Sequence, residues 1–417
     1  MKSTAHICCI LPPHILHKLS EHPEHRQRAL RALAITERLR GRREVFAQFA
    51  AGLSAGQKRR TIYDAQHQTD LPGTLMRGEG DDKPSLDVAI NEAYDFSGAT
   101  YDFYQNAYNR NSVDGRGLRL DSTVHYDQQF DNAFWDGRQM VYGDGDRVLF
   151  DRFTKCIDVV GHELTHGVTQ YTAGLSYRGQ SGALNESMSD VFGSLVKQMA
   201  AGQTADKADW LIGAGLLMPS VSGVALRSMK DPGTAYNDPQ LGQDPQPANM
   251  ANYLDTTDDN GGVHINSGIP NHAFFLTATK IGGFAWEKAG RIWYVTLTAR
   301  LQADSDFQAA ADLTFAVAGE LYGSGSAEQQ AVQGGWDGTK WELPSILLLP
   351  KSWPDRQRPR LKNANYSNTQ DLTSAGPFFL GALSFKRIEY SCLSLWRNRY
   401  ADSLGAERGI CGIAIGP

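Results

Sequence analysis

Cysteine is scarce in this chain: Cys8, Cys9, Cys156, Cys392 and Cys411 are spread over 417 positions, and no two have the CxxC spacing. That scatter excludes a disulfide framework, so any metal must be held by histidines and carboxylates. Long apolar runs are missing as well. No stretch approaches the roughly 18 consecutive apolar residues of a membrane-spanning helix. The opening "MKSTAHICCILPPHILHKL" has its apolar part interrupted by Pro12 and Pro13, so no standard secretory signal is legible. Neither sign of charge prevails: 41 Lys and Arg against 46 Asp and Glu leave a formal net charge of -5, which gives no electrostatic footprint for nucleic acid. What remains is a chain 41% apolar, long enough for two or three lobes, expected to be a monomer with no membrane or nucleic-acid partner.

Charge and periodicity divide the chain. Residues 21–60 carry ten Lys or Arg against four Glu, with Leu30, Leu33, Leu39, Val45, Phe46 and Phe49 near helical spacing. This predicts a basic amphipathic helix pair, either a solvated arm or a docking element. From Thr61 to about Asp151, alternating runs such as "STVHYDQQF" and "RQMVYGDGDRVLF" predict twisted strands and hairpins. Helices are predicted over 157–172, 185–201, 264–282, 285–303 and 306–322, the last capped by Ser305 or Asp306. The Gly, Pro, Asn and Asp-rich stretch between 226 and 262 reads as an ordered loop of the kind that shapes binding sites. Beyond Leu343 there is neither a period nor a chemical motif.

"VVGHELTHGV", residues 159–168, carries the chemistry. On a helix, positions i and i+4 share a face, so His162 and His166 can aim ring nitrogens at one point, with Glu163 about 100° around beside it. A catalytic zinc needs a third protein ligand and an open position. The six-residue spacing that would supply a third histidine meets only Thr169 and Thr172. "SGALNESMSD" offers Glu186 instead, with Asp190 one turn on to accept the other ring N–H of a ligating histidine and Asn185 in a similar supporting place. A purely structural helix would bury three ionisable groups without partners, which is costly.

"GHELTHGVTQYTAGLSYRGQSGALNESMSDVFG", together with "DNAFWDGRQMVYGDGD", "LRSMKDP" and "DNGGVHINSGIPNHAFF" in that order, resembles the thermolysin-type (gluzincin) metallopeptidases over roughly residues 60–343. The "ILPPHIL" region resembles the short propeptide of the protealysin-like subgroup. The resemblance implies an α+β, two-lobe peptidase: a β-rich N-terminal lobe, an α-helical C-terminal lobe and the zinc helix between them. It implies one catalytic zinc ion on His162, His166 and Glu186, Glu163 as general base, and Tyr177 with His264 as oxyanion stabilisers, His264 being oriented by Asp259. Asn132, the Ala133 backbone and Trp135 would hold an extended peptide along an edge strand. Arg227 would contact the carbonyl just after the scissile bond, and Leu226, Phe150, Phe153 and Val159 would line an apolar pocket for the side chain there.

The chain departs from the family where thermolysin has glutamates around paired calcium ions. Lys197, Leu211 and Ala214 stand there, although Asp158 and Asp209 remain, so the paired calcium site is expected to be absent. The domain division implied is 1–57 propeptide, 58–202 β-rich lobe with the zinc helices, 203–343 helical lobe and 344–417 unassigned. The function implied is a zinc endopeptidase made as a self-processing precursor, cutting before hydrophobic residues and secreted without a recognisable signal, against a cytoplasmic alternative. Cleavage is expected in "AAGLSAGQKRR", with Cys8 or Cys9 near the zinc or simply buried. The competing reading is a zinc-containing, non-catalytic binding protein with a blocked cleft. An aminopeptidase would need a site for the substrate's free amine, and no GxMEN-like stretch is present.

Overall fold

The computed structural model describes residues 8–46, 57–81 and 83–340, with side chains of the arm described from Cys9 to Thr36. The tail from 344 lies outside these residues, as does most of the expected cleavage stretch. Among the described residues no helix is long and apolar enough to cross a membrane.

The N-terminal arm is a strand, β1 (Cys8–Cys9), followed by helices α1 (Pro13–Glu21) and α2 (Pro23–Phe46). Pro12 caps α1 and Pro13 opens it, where a missing N–H costs nothing. The buried face of α2 is His25, Ala29, Ala32 and Thr36, whereas Leu30 is 51% exposed. Of the expected apolar stripe, Leu30 thus faces out and Leu33 is half-buried; the small side chains let the helix lie close, so that its arginines reach what it packs on. Leu39, Val45, Phe46 and Phe49 have side chains outside the described residues.

The sheet runs β1–β5–β6–β4–β2–β3, built from β2 (Arg60–Asp64), β3 (Thr74–Gly78), β4 (Leu120–Val124), β5 (Ala133–Trp135) and β6 (Met140–Tyr142). The β2–β4 and β4–β6 pairs are parallel and the others antiparallel. The region expected to be strands and hairpins throughout also holds α3 (Val88–Tyr108). Asp87 starts α3 by accepting from the amides of Ala89 and Ile90, and Asn109, at φ 54°, ends it. Ile90, Ala93, Ser97, Thr100, Tyr104 and Tyr108 follow the helical repeat and are buried, although Ile90, Thr100 and the two tyrosines favour strands locally. Tertiary burial decided the outcome.

Helices α4 (Ile157–Gln170) and α5 (Gly179–Ala201) form the centre. They touch through glycine: a Cβ on Gly193 would stand 2.5 Å from Asp158 O and 3.0 Å from His162 N, and one on Gly161 would meet Gly193 Cα at 3.1 Å. This close approach brings the acidic side chains of α5 to the histidines of α4. A two-stranded ladder follows, β7 (Leu211–Ile212) with β8 (Arg227–Ser228). The helical lobe continues with α6 (Asp259–Asn266), α7 (Gly268–Ile281), α8 (Ala289–Ala299), α9 (Phe307–Tyr322) and α10 (Ala327–Gly338). The helix expected over 264–282 is thus two. Pro270 cannot donate to the Asn266 carbonyl and its ring crowds it, so the break falls there. Asp306 caps α9 as expected, through Ala309 N, while α8 is shorter than expected at both ends and α10 carried no recognised signal.

Candidate metal centre and active site

His162 and His166 lie one turn apart on α4, fully buried, each with its Nδ1 committed. His162 Nδ1 is 2.8 Å from Asp190 Oδ1, and His166 Nδ1 is 2.8 Å from Asn185 Oδ1 and 3.0 Å from Ser189 Oγ. With the ring protons assigned to those acceptors, both Nε2 atoms carry lone pairs, yet they face each other at 3.0 Å. Two acceptors that close are stable only around a shared cation. Glu186 completes the set, 3.5 Å from each Nε2, and its Oε2 is buried with no hydrogen-bond partner. The donor atoms of the three residues lie within 4.8 Å of one another, a nitrogen and carboxylate set that suits zinc.

Asp190 is a junction. Besides His162 it accepts Arg227 Nε at 2.9 Å and Nη2 at 2.8 Å, and Asn271 Nδ2 at 2.9 Å. Burial alone would raise its pKa, but Arg227 and His162 hold the carboxyl well below the usual carboxylate range. Neither Asn271, within "SGIPNHAFF", nor Ser189 carries a signal of this role in the sequence.

Glu163, beside the histidines, accepts the backbone N–H of Trp135 at 3.1 Å, so the edge strand fixes the carboxylate. Opposite, Tyr177 OH bonds Glu186 Oε1 and lies 3.0 Å from His264 Nε2. Asp259 grips His264 twice, at Nδ1 (2.6 Å) and at the backbone N (2.8 Å). Asp259, Asn260, Gly261 and Gly262 all have positive φ, a tight left-handed turn that only glycine and short polar residues adopt readily. Burial lowers the pKa of His264, and the charges of Asp259 and Glu186 overcome this and raise it to about 9.

The arm occupies the cleft. Strand β1 adds antiparallel to β5, with Cys8 opposite Trp135 and Cys9 opposite Phe134. Ile10 N donates to Ala133 O at 3.2 Å, and Leu11 N donates to Asn132 Oδ1 at 3.0 Å. Cys9 O lies 3.0 Å from His264 Nε2, and Arg227 Nη1 donates to Ile10 O at 2.9 Å. Phe150, Phe153, Val159 and Leu226 are all buried, with the two phenylalanine rings 6.1 Å apart. The Cys9 thiol bonds Thr36 of α2 at 3.8 Å, and the Cys8 side chain is outside the described residues.

Where calcium ligands were missing in sequence, the Lys197 ammonium lies 3.0 Å from Asp158 Oδ2, 2.9 Å from Asp209 Oδ1 and 2.8 Å from Leu211 O. Ala214 contributes only its carbonyl, to the Cys156 thiol.

A sequence model of the thermolysin metallopeptidase catalytic domain matches residues 52–170, and one of the thermolysin metallopeptidase alpha-helical domain matches 173–340. An extracellular metalloprotease of Pectobacterium carotovorum subsp. carotovorum is 50% identical over 346 residues, covering 82% of this chain and 99% of the relative. The chain belongs to the thermolysin family of metallopeptidases. A thermolysin of Alicyclobacillus acidocaldarius is 43% identical over 280 residues, 65% of this chain and 49% of the relative. The solved structure of the protealysin precursor from Serratia proteamaculans matches with a TM-score of 0.74 at 50% identity, covering 80% of this chain and all of that one. The family's two-lobe fold and its zinc endopeptidase activity follow for this chain, and the non-catalytic reading is not favoured.

Proposed function

We propose that His162, His166 and Glu186 hold the zinc of an endopeptidase whose own arm, residues 8 to about 57, is its inhibitory propeptide. When bound there, zinc supplies a Lewis acid that polarises a carbonyl and lowers the pKa of a water. Glu163, held by Trp135 N–H, takes the proton of the attacking water and carries it to the leaving amide nitrogen. His264 and Tyr177 donate to the carbonyl oxygen as charge builds on it, with Asp259 holding the imidazole in place. Asn132 and Ala133 bind the peptide backbone with Trp135 beside them, Arg227 binds the carbonyl that follows, and Phe150, Phe153, Val159 and Leu226 favour an apolar side chain next to the bond.

One observation carries this reading: the backbone of Cys9, Ile10 and Leu11 is held by the same four groups that the roles assign to a substrate, Cys9 O by His264, Ile10 N by Ala133, Ile10 O by Arg227 and Leu11 N by Asn132. The arm therefore blocks the cleft by resembling a substrate. We further infer cutting within residues 50–60, the lobe boundaries near 57, 202 and 343, a monomer, and work outside the cell on peptides and proteins; relatives are named as extracellular. The test is Glu163→Ala: zinc remains bound by metal analysis, casein hydrolysis is lost, and the chain keeps its full mass while wild type shortens by about the arm. Wild-type-like hydrolysis or shortening in the variant overturns the assignment of Glu163.

A further inference from the structure

The arm touches the peptidase at a second place that the cleft chemistry does not explain. Arg28 of α2 enters a recess floored by Asp131 and Asp146, donating from Nε to Asp131 Oδ2 at 2.7 Å and from Nη2 to Asp146 Oδ2. Arg31 pairs with Asp127 alongside. The three carboxylates are almost wholly buried, with side chains 3%, 0% and 2% exposed for Asp131, Asp146 and Asp127. Burial and then the charge of Asp146 push Asp131 up to about 7 against the pull of Arg28, so one guanidinium does not balance the pair. Asp131 Oδ1 remains buried with no hydrogen-bond partner even with Arg28 in place.

One wall of the recess is fixed by the body itself. Asp146 Oδ1 accepts the amides of Val148, Leu149 and Phe150 at 3.0, 2.7 and 3.0 Å, which fixes the other oxygen toward the recess. Asp131 directly precedes Asn132, the residue that holds the peptide backbone. Carried beyond Leu11, the antiparallel register on β5 sets the next residue opposite Asp131. If the Cys9–Ile10 bond marks the scissile position, that is the third residue after the cut. The arm has Pro12 there, which bears no charge and turns the chain into α1, and it brings its guanidinium from α2 instead.

We propose that the Asp131–Asp146 recess, filled by Arg28 in the intact chain, becomes in the shortened enzyme a subsite for a basic side chain of the substrate at the third residue after the scissile bond. The inference rests on the reading that the arm leaves and the cleft cuts peptides. A planar guanidinium can bridge the two carboxylates as Arg28 does, so arginine is preferred over lysine.

The experiment uses the purified, self-shortened protein and quenched fluorescent peptides identical except at that third residue, which is Arg, citrulline, Ala or Glu. Arg should exceed its neutral isostere citrulline about tenfold in kcat/KM, with Glu lowest, as charge-assisted pairing requires. In Asp131→Asn the Arg-to-citrulline ratio should fall toward one. Should that variant fail to fold, Asp146→Asn provides the second reading: it removes the other charge of the recess, and the ratio should again fall toward one. A flat profile in the wild type, or a ratio that persists in Asp131→Asn or in Asp146→Asn, overturns the subsite. Failure to cut even the Ala peptide overturns the peptidase reading instead, so the two failures are distinguishable.

Discussion

Asp190 joins the histidine cage to the carbonyl-binding arginine, since one carboxylate orients His162 and also neutralises Arg227. Asp190→Asn keeps the size and an acceptor but removes the charge. Zinc affinity should then drop roughly 10–100-fold, as for other losses of an outer partner of a metal-bound histidine, and KM should rise because Arg227 loses its counter-charge. Chelator competition and steady-state kinetics on the same protein check both. Unchanged zinc affinity would mean that the Asn185 and Ser189 contacts of His166 suffice to order the cage. This level was the most legible in sequence, because His162, His166 and Glu186 are fixed by helical spacing and by one downstream acidic pair. Asn271 was not legible: it reaches Asp190 from 81 positions away along the chain, and only folding brings them together.

At the scale of elements, the crossing of α4 and α5 depends on a glycine contact. Gly193→Ala would place a methyl against Asp158 O and His162 N, and overpacking of this kind costs about 1–3 kcal/mol. A lower melting temperature together with a reduced zinc content is the expected outcome; a lower melting temperature with full zinc would show that the helices part without disturbing the cage. A second junction links α3 to the sheet, where His125 spans Asp144, 2.9 Å from Nδ1, and Asp87, 2.9 Å from Nε2. The hydrogen bond and charge of Asp144, with Asp87, outweigh burial and raise His125 to about 9 from an ordinary 6.5. A raised histidine pKa stabilises fully below the unfolded value and loses that contribution as pH rises through the folded one. The melting temperature of wild type should therefore exceed that of His125→Gln most at pH 6 and converge on it by pH 9.5; a constant gap would show that the ring acts only through packing. Sequence patterning misplaced this region because the tyrosines, phenylalanines and Thr100 of α3 locally favour strands, and its helical repeat shows only once every third or fourth position is known to be buried. The arm was more nearly legible. Leu30 of the expected apolar stripe faces out while Ala29 and Ala32 are buried, and Arg28 and Arg31 of the basic face meet the carboxylates of the body.

For the molecule as a whole, one ammonium stands where the family resemblance implies glutamates around calcium ions. Lys197 supplies a single positive charge to Asp158, Asp209 and the Leu211 carbonyl without any binding equilibrium. Selective calcium withdrawal should therefore shift the melting temperature by no more than a degree or two, whereas zinc removal should abolish hydrolysis. A shift of tens of degrees on calcium withdrawal would reveal a calcium site elsewhere in the chain. This substitution was legible in sequence, since a lysine cannot ligate a hard cation. The antiparallel addition of β1 to β5 was not, because a two-residue strand carries no pattern of its own.

That added strand also sets the terms on which the cleft opens. The arm belongs to the same chain as the body it blocks, and covalent linkage can hold a group at an effective concentration of about 1 mM. Contacts worth only about 1 µM as a free peptide would then keep the cleft occupied roughly 99.9% of the time. Once the tether is cut, the same contacts in a dilute solution hold almost nothing, and the arm departs by mass action with no bond weakened. Activation becomes a change of molecularity: the chain stays shut because its inhibitor cannot be diluted, and it opens when the inhibitor can.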